Sequence, residues 1–343
     1  MQEALEHFFQ KSIDESRFST ALFPDWFRST LNSTICTLDA EFKKVHDLLH
    51  SPQSSKETRK LMHATFQDSN SIQEICDGEF VISEEVIDWP SPLGIAVGGL
   101  MERLYDSMDF AVFRRLGKTG RARKELYEEF VVKNNYVCPF CSIGMYKNKL
   151  GKTREGFDHY LNRSSYPLSS ANMKNLVPTC GECNEDYKGA KDILADGAVF
   201  YPYAEIPGMK VEVDCLEYPA TDGSKSKGKW SVEVALAVPD PSLDSKMAAW
   251  DRVYSVKERL INEVTEHFEE WMEELGGEGF ESLDEEGLRS LIRAARNKAS
   301  SACLRRRKPR QIIRAAFYDF MLARAEQTFL LSFTCRLNGG LST

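Results

Sequence analysis

The sequence predicts an α+β protein that is predominantly helical, and three observations support this class. Helix-compatible runs fill most of residues 1–125, where prolines and polar Ser/Asn stretches separate them. Two alternating segments rich in β-branched residues, 210–217 and 229–236, flank a loop of Gly, Ser and Lys residues and predict a strand pair. From residue 243 onward, large apolar residues recur at helical spacing.

We expect three regions in this chain of 343 residues, which is long for one compact domain. Residues 1–125 are predicted to form an N-terminal helical domain, with a partner-binding or regulatory role that the sequence leaves unspecified. Residues 126–200 are predicted to form a central module around four cysteines, and residues 201–343 a β-hairpin followed by C-terminal helices.

Individual helices can be placed from the same patterns. In the N-terminal region they are predicted at residues 3–11, 19–32, 38–49 and 55–66. The stretch 90–113 begins with two prolines and carries Gly94, Gly98 and Gly99, which predicts a buried helix packed closely against a neighbour. A phosphate-binding glycine loop is the alternative, but neither a following Lys-Ser/Thr nor a G-x-G-x-x-G pattern is present.

In the C-terminal region we predict one long helix from residue 243 to the glycine pair at 276–277, with apolar residues such as Trp250, Leu260 and Trp271 on one face. Shorter helices are predicted at residues 284–300 and 311–331.

Composition indicates a soluble protein of the cytoplasm with no membrane association. The chain is 42% hydrophobic and 28% charged, which allows a sizeable core. Its N-terminus lacks the pattern of a secretory signal, and the longest apolar window, about 92–101, is too short to cross a bilayer. A formal net charge of -8 argues against binding nucleic acid through the overall field, although a local basic track is compatible with it.

Two Cys-x-x-Cys pairs, Cys138/Cys141 and Cys180/Cys183, predict a structural Zn²⁺ site with four thiolate ligands. The 38 residues between the pairs, 142–179, exceed what a compact zinc finger needs. Zinc binding is worth about 10–16 kcal/mol in small metal-folded peptides, enough to hold such a loop together. The five other cysteines, interpreted as core thiols, are Cys36, Cys76, Cys215, Cys303 and Cys335.

The loop and its boundary contain residues suited to phosphodiester hydrolysis. Asp158-His159 lies inside the loop, Asn175 precedes the second pair, and Asn184 follows it directly. Such a reaction needs a base to activate water and a hard cation to hold the phosphate, and these residue types supply both. A purely structural zinc ribbon is the alternative interpretation.

The order Cys-x-x-Cys, Asp-His, Asn, Cys-x-x-Cys-Asn resembles the HNH endonucleases, whose ββα-metal motif is often held by four cysteines, as in phage resolvases of the endonuclease VII type. The resemblance implies that His159 is the general base, that Asp158 and Asn184 bind one catalytic Mg²⁺ or Mn²⁺, and that Asn175 holds the loop that orients His159. It also implies a central zinc-stabilised ββα module between the helical regions and the β-hairpin.

Two departures from the motif affect ligand and substrate contacts. The last motif position is Asn184 rather than His, which still offers an oxygen but weakens any metal that prefers nitrogen. Lys188 follows four residues later, on a helix predicted to begin near Glu182, and is predicted either to contact a substrate phosphate or to be a surface lysine.

Two basic clusters are candidates for nucleic-acid binding, with a solvated helix face as the alternative for each. The cluster before the cysteine module contains Arg114, Arg115, Lys118, Arg121, Arg123 and Lys124. The cluster near the C-terminus contains Arg305, Arg306, Arg307, Lys308 and Arg310.

A wider likeness, over about residues 130–240, is carried by residues 160–168 and 199–203. It resembles HNH nuclease subunits of bacterial anti-phage defence systems, such as Septu-type systems and retron effectors, which commonly act beside an ATPase. We therefore expect a metal-dependent endonuclease that cleaves DNA as a defence effector, regulated by a partner such as an ATPase. The alternatives are an RNA-cleaving HNH nuclease, or a zinc-stabilised nucleic-acid-binding or scaffold subunit that is active only within a complex.

Overall fold

The computed structural model describes residues 1–31, 38–79, 87–107, 123–146, 156–219, 227–275, 284–306 and 308–323. Within these residues the chain is predominantly helical and contains two antiparallel two-stranded sheets, which confirms the α+β class. None of the helices in these ranges is long and apolar enough to cross a membrane.

The chain divides into two compact units, each assembled from three segments. Unit 1 comprises Met1–Phe130, Gly156–Pro178 and Lys188–Ile206, and unit 2 comprises Val131–Glu155, Thr179–Tyr187 and Pro207–Thr343. Residues 126–200 therefore contribute to both units. The domain boundaries predicted at residues 125 and 200 stay predictions.

The N-terminal helices agree closely with the sequence pattern. They are α1 (Gln2–Lys11), α2 (Asp25–Leu31), α3 (Leu38–Leu49), α4 (Lys56–Ser69), α5 (Ile72–Asp77) and α6 (Pro92–Ser107), followed by α7 (Arg123–Lys133). The single helix predicted at 19–32 is wrong, because a 3₁₀ turn at Thr20–Leu22 precedes α2. Phe23 is extended between them, as expected for a residue before proline.

Aromatic side chains dominate the core of unit 1. The ring of Phe8 stacks on that of Phe23 at a centroid distance of 5.4 Å and meets the edge of Phe42 at 4.9 Å. Phe9 of α1 contacts Phe66 of α4 at 5.0 Å. All five are almost completely buried, and such pairs contribute about 0.5–1.5 kcal/mol each beyond their area burial.

The helix α6 contains one position that requires glycine. A Cβ atom at Gly94 would lie 2.5 Å from the carbonyl oxygen of Asp88 and 2.5 Å from Cα of Trp89, which confirms the predicted close approach. At Gly98 and Gly99 a Cβ would meet none of the described residues within 4 Å, so the predicted close packing is wrong for these two glycines in that part of the chain.

A short hairpin is anchored on the helical core of unit 1. Its strands are β1 (Phe157–His159) and β2 (Leu176–Pro178), which pair antiparallel. Leu176 belongs to the same buried apolar cluster as residues of α1, α3 and α6. The side-chain amide of Asn172, in the loop between the strands, donates to the carbonyl of Asn70 at the end of α4 at 3.2 Å. The N-terminal helices therefore support the hairpin that carries Asp158, His159 and Asn175.

After β2 the chain forms a π-helix over Glu182–Lys188, close to the helix start predicted at Glu182. Its backbone bonds join residues five apart, so residues four apart, such as Asn184 and Lys188, do not align as they would on an α-helix. Two short antiparallel strands and a helix thus follow one another along this part of the chain.

The strand pair predicted in the C-terminal region is confirmed in unit 2. β3 (Met209–Glu217) and β4 (Lys229–Leu236) pair antiparallel, with a register irregularity between Cys215 and Glu217. Trp230 of β4 packs its indole among aromatic rings at centroid distances of 5.3, 5.7 and 5.6 Å, those of Phe268, Phe317 and Phe320.

The long helix predicted from residue 243 is instead two helices, α8 (Asp244–Tyr254) and α9 (Val256–Glu273). Ser255 separates them in a left-handed conformation with φ 48°, which no continuous α-helix allows. The last two described helices are α10 (Glu285–Arg306) and α11 (Gln311–Ala323). Both predicted helices are present: the first extends beyond its predicted end at residue 300, and residues 324–331 of the second lie outside the described residues.

Candidate functional site

The four paired cysteines converge on one buried point in unit 2. Their sulfur atoms all lie within 4.8 Å of one another, and both the Cys138–Cys183 and the Cys141–Cys180 Sγ distances are 3.9 Å. Four thiolates around zinc at about 2.3 Å form a tetrahedron whose edges are about 3.8 Å long. The cysteines are therefore positioned to bind a metal ion, and their geometry fits structural zinc.

The first cysteine turn is shaped around the sulfur atoms. Ser142 adopts a left-handed conformation with φ 58°, and its N–H donates to the carbonyl of Cys138 at 2.9 Å. The N–H of Gly144 donates to Sγ of Cys141 at 3.3 Å. A Cβ atom at Gly144 would lie only 2.6 Å from Sγ of Cys180, so a side chain here would enter the metal site.

An arginine from α9 completes the surroundings of the cysteine cluster. The guanidinium of Arg259 donates to Sγ of Cys183 at 3.1 Å and to the carboxylate of Glu182 at 2.8 Å, and it lies 4.1 Å above the ring of Tyr187. Burial lowers the pKa of Arg259, but the negative charges of Cys141 and Cys183 outweigh it and raise the pKa above the ordinary value. The side chain is only 4% exposed, so it serves as a buried counter-charge to the thiolates.

Asp158 lies in the middle of β1 in unit 1, opposite Val177 of β2. Its side chain is 5% exposed, and Oδ1 accepts a 2.8 Å hydrogen bond from Nζ of Lys188. Burial raises the pKa of Asp158, while the charge and hydrogen bond of Lys188 oppose that rise. Within the described part of the chain, the buried Oδ2 atom has no hydrogen-bond partner. One oxygen of a buried carboxylate is thus still able to accept a ligand.

His159 is the last residue of β1, and its ring is held by the loop that follows. Nε2 lies 3.1 Å from the carbonyl oxygen of Ser170. Because a carbonyl can only accept, Nε2 must carry the proton, and in the neutral ring Nδ1 is then the basic nitrogen. The half-buried ring also packs against Tyr105 of α6 at a centroid distance of 4.6 Å.

Asn175 is fully buried and joins the two ends of the loop between β1 and β2. Its Oδ1 accepts from the N–H of Leu161 at 2.7 Å, and its Nδ2 donates to the carbonyls of Leu161 at 3.0 Å and Ser169 at 3.3 Å. The side chain therefore pairs with the backbone as a neighbouring strand would. Ser169 adjoins Ser170, so the same contacts fix the carbonyl that holds His159.

Asn184, the other predicted cation ligand, lies in unit 2 and directly follows Cys183. Its side chain is half-buried, and its N–H donates to the carbonyl of Cys180 at 3.0 Å. Its role as a ligand stays a prediction.

Lys188 is buried, which excludes one of the two interpretations that the sequence offered, while its contact with a substrate phosphate stays a prediction. Its side chain is 1% exposed, which makes a surface lysine wrong, and its ammonium donates to Asp158 and to the carbonyl of His159, each at 2.8 Å. The residues around Lys188 in the sequence do not predict its burial, because its hydrogen-bond partners lie about thirty residues earlier in the chain.

The basic clusters lie mostly outside the described residues. Lys308 is exposed, whereas Arg307 and the side chains of Arg305 and Arg306 lie outside them. In the first cluster, residues 114, 115, 118 and 121 and the side chains of Arg123 and Lys124 also lie outside. Their binding roles stay predictions.

Arg259 was not predicted as a site residue. It contacts Cys183, which lies 76 residues earlier in the chain. One signal was present: Arg259 stands beside Leu260 and three residues after Val256, on the apolar face of an amphipathic helix. A cation on such a face requires a buried anionic partner.

Comparison with known proteins gives one local likeness. No family model and no solved structure matches the chain. Protein ea31 of Escherichia phage lambda is 32% identical over 103 residues, which cover 29% of this chain and 30% of that protein. The chain thus spans less than a third of that relative's length, and its name states no activity.

Proposed function

We propose that this chain is a metal-dependent HNH endonuclease that hydrolyses phosphodiester bonds in DNA. The observation that carries the proposal concerns two consecutive residues, Asp158 and His159. Among the described residues, one oxygen of the buried Asp158 carboxylate has no hydrogen-bond partner, and Nε2 of the His159 ring is fixed by a backbone carbonyl. A scaffold or a simple zinc clip requires neither feature, and burying such a carboxylate is costly without a function.

His159 is the general base in this proposal. Its hydrogen bond to Ser170 makes Nδ1 the proton-accepting nitrogen, and Asn175 holds the preceding residue, Ser169, through its carbonyl. Nδ1 takes a proton from the water that attacks phosphorus, a step that contributes typically 10²–10⁴-fold to the rate.

Asp158 would hold a catalytic Mg²⁺ or Mn²⁺, and the HNH resemblance implies Asn184 as the second protein ligand. Oδ2 of Asp158, which has no hydrogen-bond partner among the described residues, fits this role, and carboxylate and amide oxygens are hard donors that these ions prefer. When bound, the cation supplies charge stabilisation for the phosphate and for the departing 3′ oxygen. The zinc is structural in this proposal, because four thiolates leave it no open position.

We further propose that a partner supplies much of the DNA binding and controls activity. A net charge of -8 limits the intrinsic affinity of the chain for DNA, which suits a nuclease kept inactive until it is recruited. The resemblance to anti-phage defence subunits favours an ATPase as that partner. RNA cleavage, and activity only within a complex, are the alternatives that the experiment must separate.

The decisive experiment incubates zinc-loaded protein with supercoiled plasmid, single-stranded DNA or RNA, in Mg²⁺, Mn²⁺ or EDTA. Wild type is compared with H159A and with the matched control H267A, which removes a histidine of α9 that contacts Glu263 and Glu270 rather than the site. We expect the H159A variant to cleave at least 100-fold more slowly than wild type, and the H267A variant to cleave normally.

Zinc content and thermal unfolding of each variant show whether loss of cleavage reflects loss of structure. Equal cleavage by wild type and the H159A variant would refute the assignment of the base. Cleavage of RNA alone would establish the alternative substrate, and no metal-dependent cleavage of any substrate would leave the scaffold interpretation in place.

A further inference from the structure

Lys188 is among the most completely buried large side chains of unit 1, although lysine is rarely buried without a partner. Its ammonium has two acceptors at 2.8 Å, Oδ1 of Asp158 and the carbonyl oxygen of His159. Removing an ammonium from water is costly, so both bonds are needed to keep it in place. The lysine is thus hydrogen-bonded to two consecutive residues of β1.

The two acceptors are chemically different parts of those residues. At Asp158 the lysine contacts the side chain, and at His159 it contacts the backbone rather than the ring. It therefore fixes the rotation of the Asp158 carboxylate and the course of the chain at His159 together. The carboxylate oxygen that the lysine does not contact is Oδ2, which lacks a partner within the described residues.

We propose that Lys188 is a positioning residue that holds the Asp158 carboxylate so that Oδ2 is presented to the catalytic cation. This inference rests on the proposed function and replaces the prediction that Lys188 contacts a substrate phosphate. Groups that hold a metal ligand from behind typically contribute 10–100-fold to metal affinity or activity.

A second interpretation predicts the opposite effect of removing Lys188 on the affinity for the cation. If the ammonium were an internal substitute for the cation, the cation would have to displace it, and removing the lysine would strengthen cation binding. The structure favours positioning for two reasons. The lysine is 1% exposed, so displacing its ammonium would require it to leave a buried position, and it occupies Oδ1 while Oδ2 has no partner among the described residues.

The test is a double-mutant cycle on Mn²⁺ affinity, measured by electron paramagnetic resonance with the zinc-loaded full chain. The variants are K188M, D158N and the double variant, and methionine keeps the apolar stem of the lysine. The matched control is K174M, which removes an exposed lysine from the loop between β1 and β2.

We expect K188M to weaken Mn²⁺ binding 10–100-fold and K174M to leave it unchanged. In the D158N background, K188M should cause no further loss, because the lysine acts through Asp158. Unchanged or tighter Mn²⁺ binding by the K188M variant would overturn the inference.

A measurement on wild type avoids the risk that the K188M variant fails to fold. The Lys188 ammonium, being buried and hydrogen-bonded, should give a slowly exchanging ¹H–¹⁵N signal, and positioning requires that this signal persist when Mg²⁺ is added. Its disappearance on Mg²⁺ binding would refute positioning.

These outcomes are distinguishable from failure of the proposed function. If wild type and the D158N variant bound Mn²⁺ with equal affinity, Asp158 would not be a cation ligand and the proposed cation site would be refuted. If cleavage and Mn²⁺ binding both require Asp158 but are unaffected by the K188M substitution, only the positioning role of Lys188 would be refuted.

Discussion

Substituting Gly144 by alanine tests whether the first cysteine turn is shaped for a metal. The added Cβ atom would lie 2.6 Å from Sγ of Cys180 and 2.9 Å from its Cβ. Favourable contacts between carbon atoms are about 3.5–4.0 Å, so the new methyl group is about 1 Å too close. Gly144 is not among the glycines with positive φ, so backbone strain does not contribute to the expected effect.

The size of the effect follows from that overlap. Overpacking a tightly packed site typically costs about 1–3 kcal/mol. Any shift of Cys180 away from the new methyl group would disturb the sulfur arrangement that includes its distance of 3.9 Å to Cys141, so the metal-bound state is destabilised. Since about 1.4 kcal/mol corresponds to a factor of ten, we expect zinc affinity to fall by about 5- to 150-fold.

The assay is competition for zinc with a colorimetric chelator, followed by thermal unfolding of the loaded protein. The matched control is G99A in α6, where a Cβ would have no neighbour within 4 Å among the residues that the structure describes. Alanine in the interior of a helix is favoured over glycine by about 0.5–1 kcal/mol, so this control should be neutral or stabilising. If the G144A variant retained zinc as tightly as wild type, the four-thiolate site would not have the geometry described.

Three further predictions concern other contacts. R259M should release zinc faster than wild type in the same chelator assay, because Cys183 loses a charged donor, whereas R293M, at a half-exposed arginine, should not. N175D should lower the free energy of unfolding by about 1–3 kcal/mol in urea titration, because a carboxylate cannot donate to the carbonyls of Leu161 and Ser169. Burial raises the pKa of the Cys215 thiol to about 11, so its alkylation, followed by site-resolved mass spectrometry, should rise near pH 11 rather than near 9.

The features that sequence reasoning predicted are those that local patterns determine. The spacing of the two Cys-x-x-Cys pairs predicted the cysteine cluster, since each short gap allows one turn to supply two sulfurs. Alternation predicted β3 and β4, and helical spacing predicted α3 at its observed residues. These signals need only a few neighbouring residues, so tertiary packing does not alter them.

The features that were missed depend on contacts between distant parts of the chain. No local pattern indicates that Lys188 is buried, because its environment is created by β1. The group that holds His159 is a backbone carbonyl, that of Ser170, which any residue type could provide. Ser255 adopts a left-handed conformation that ends one helix within an otherwise regular apolar pattern. Serine at this position does not predict such a conformation.

The two candidate metal sites differ in how much of the coordination shell the protein supplies. This difference distinguishes a structural metal site from a catalytic one. Four thiolates complete a tetrahedron, and the N–H groups of Gly144 and Arg259 further stabilise two of the sulfurs. Asp158, by contrast, has one oxygen bonded to Lys188 and one with no partner in the described part of the chain. A catalytic cation needs such an incomplete ligand set, since substrate and water must supply the rest. Stripping zinc should therefore disorder the cysteine turns, whereas substitution of His159 should stop cleavage and leave the zinc content unchanged.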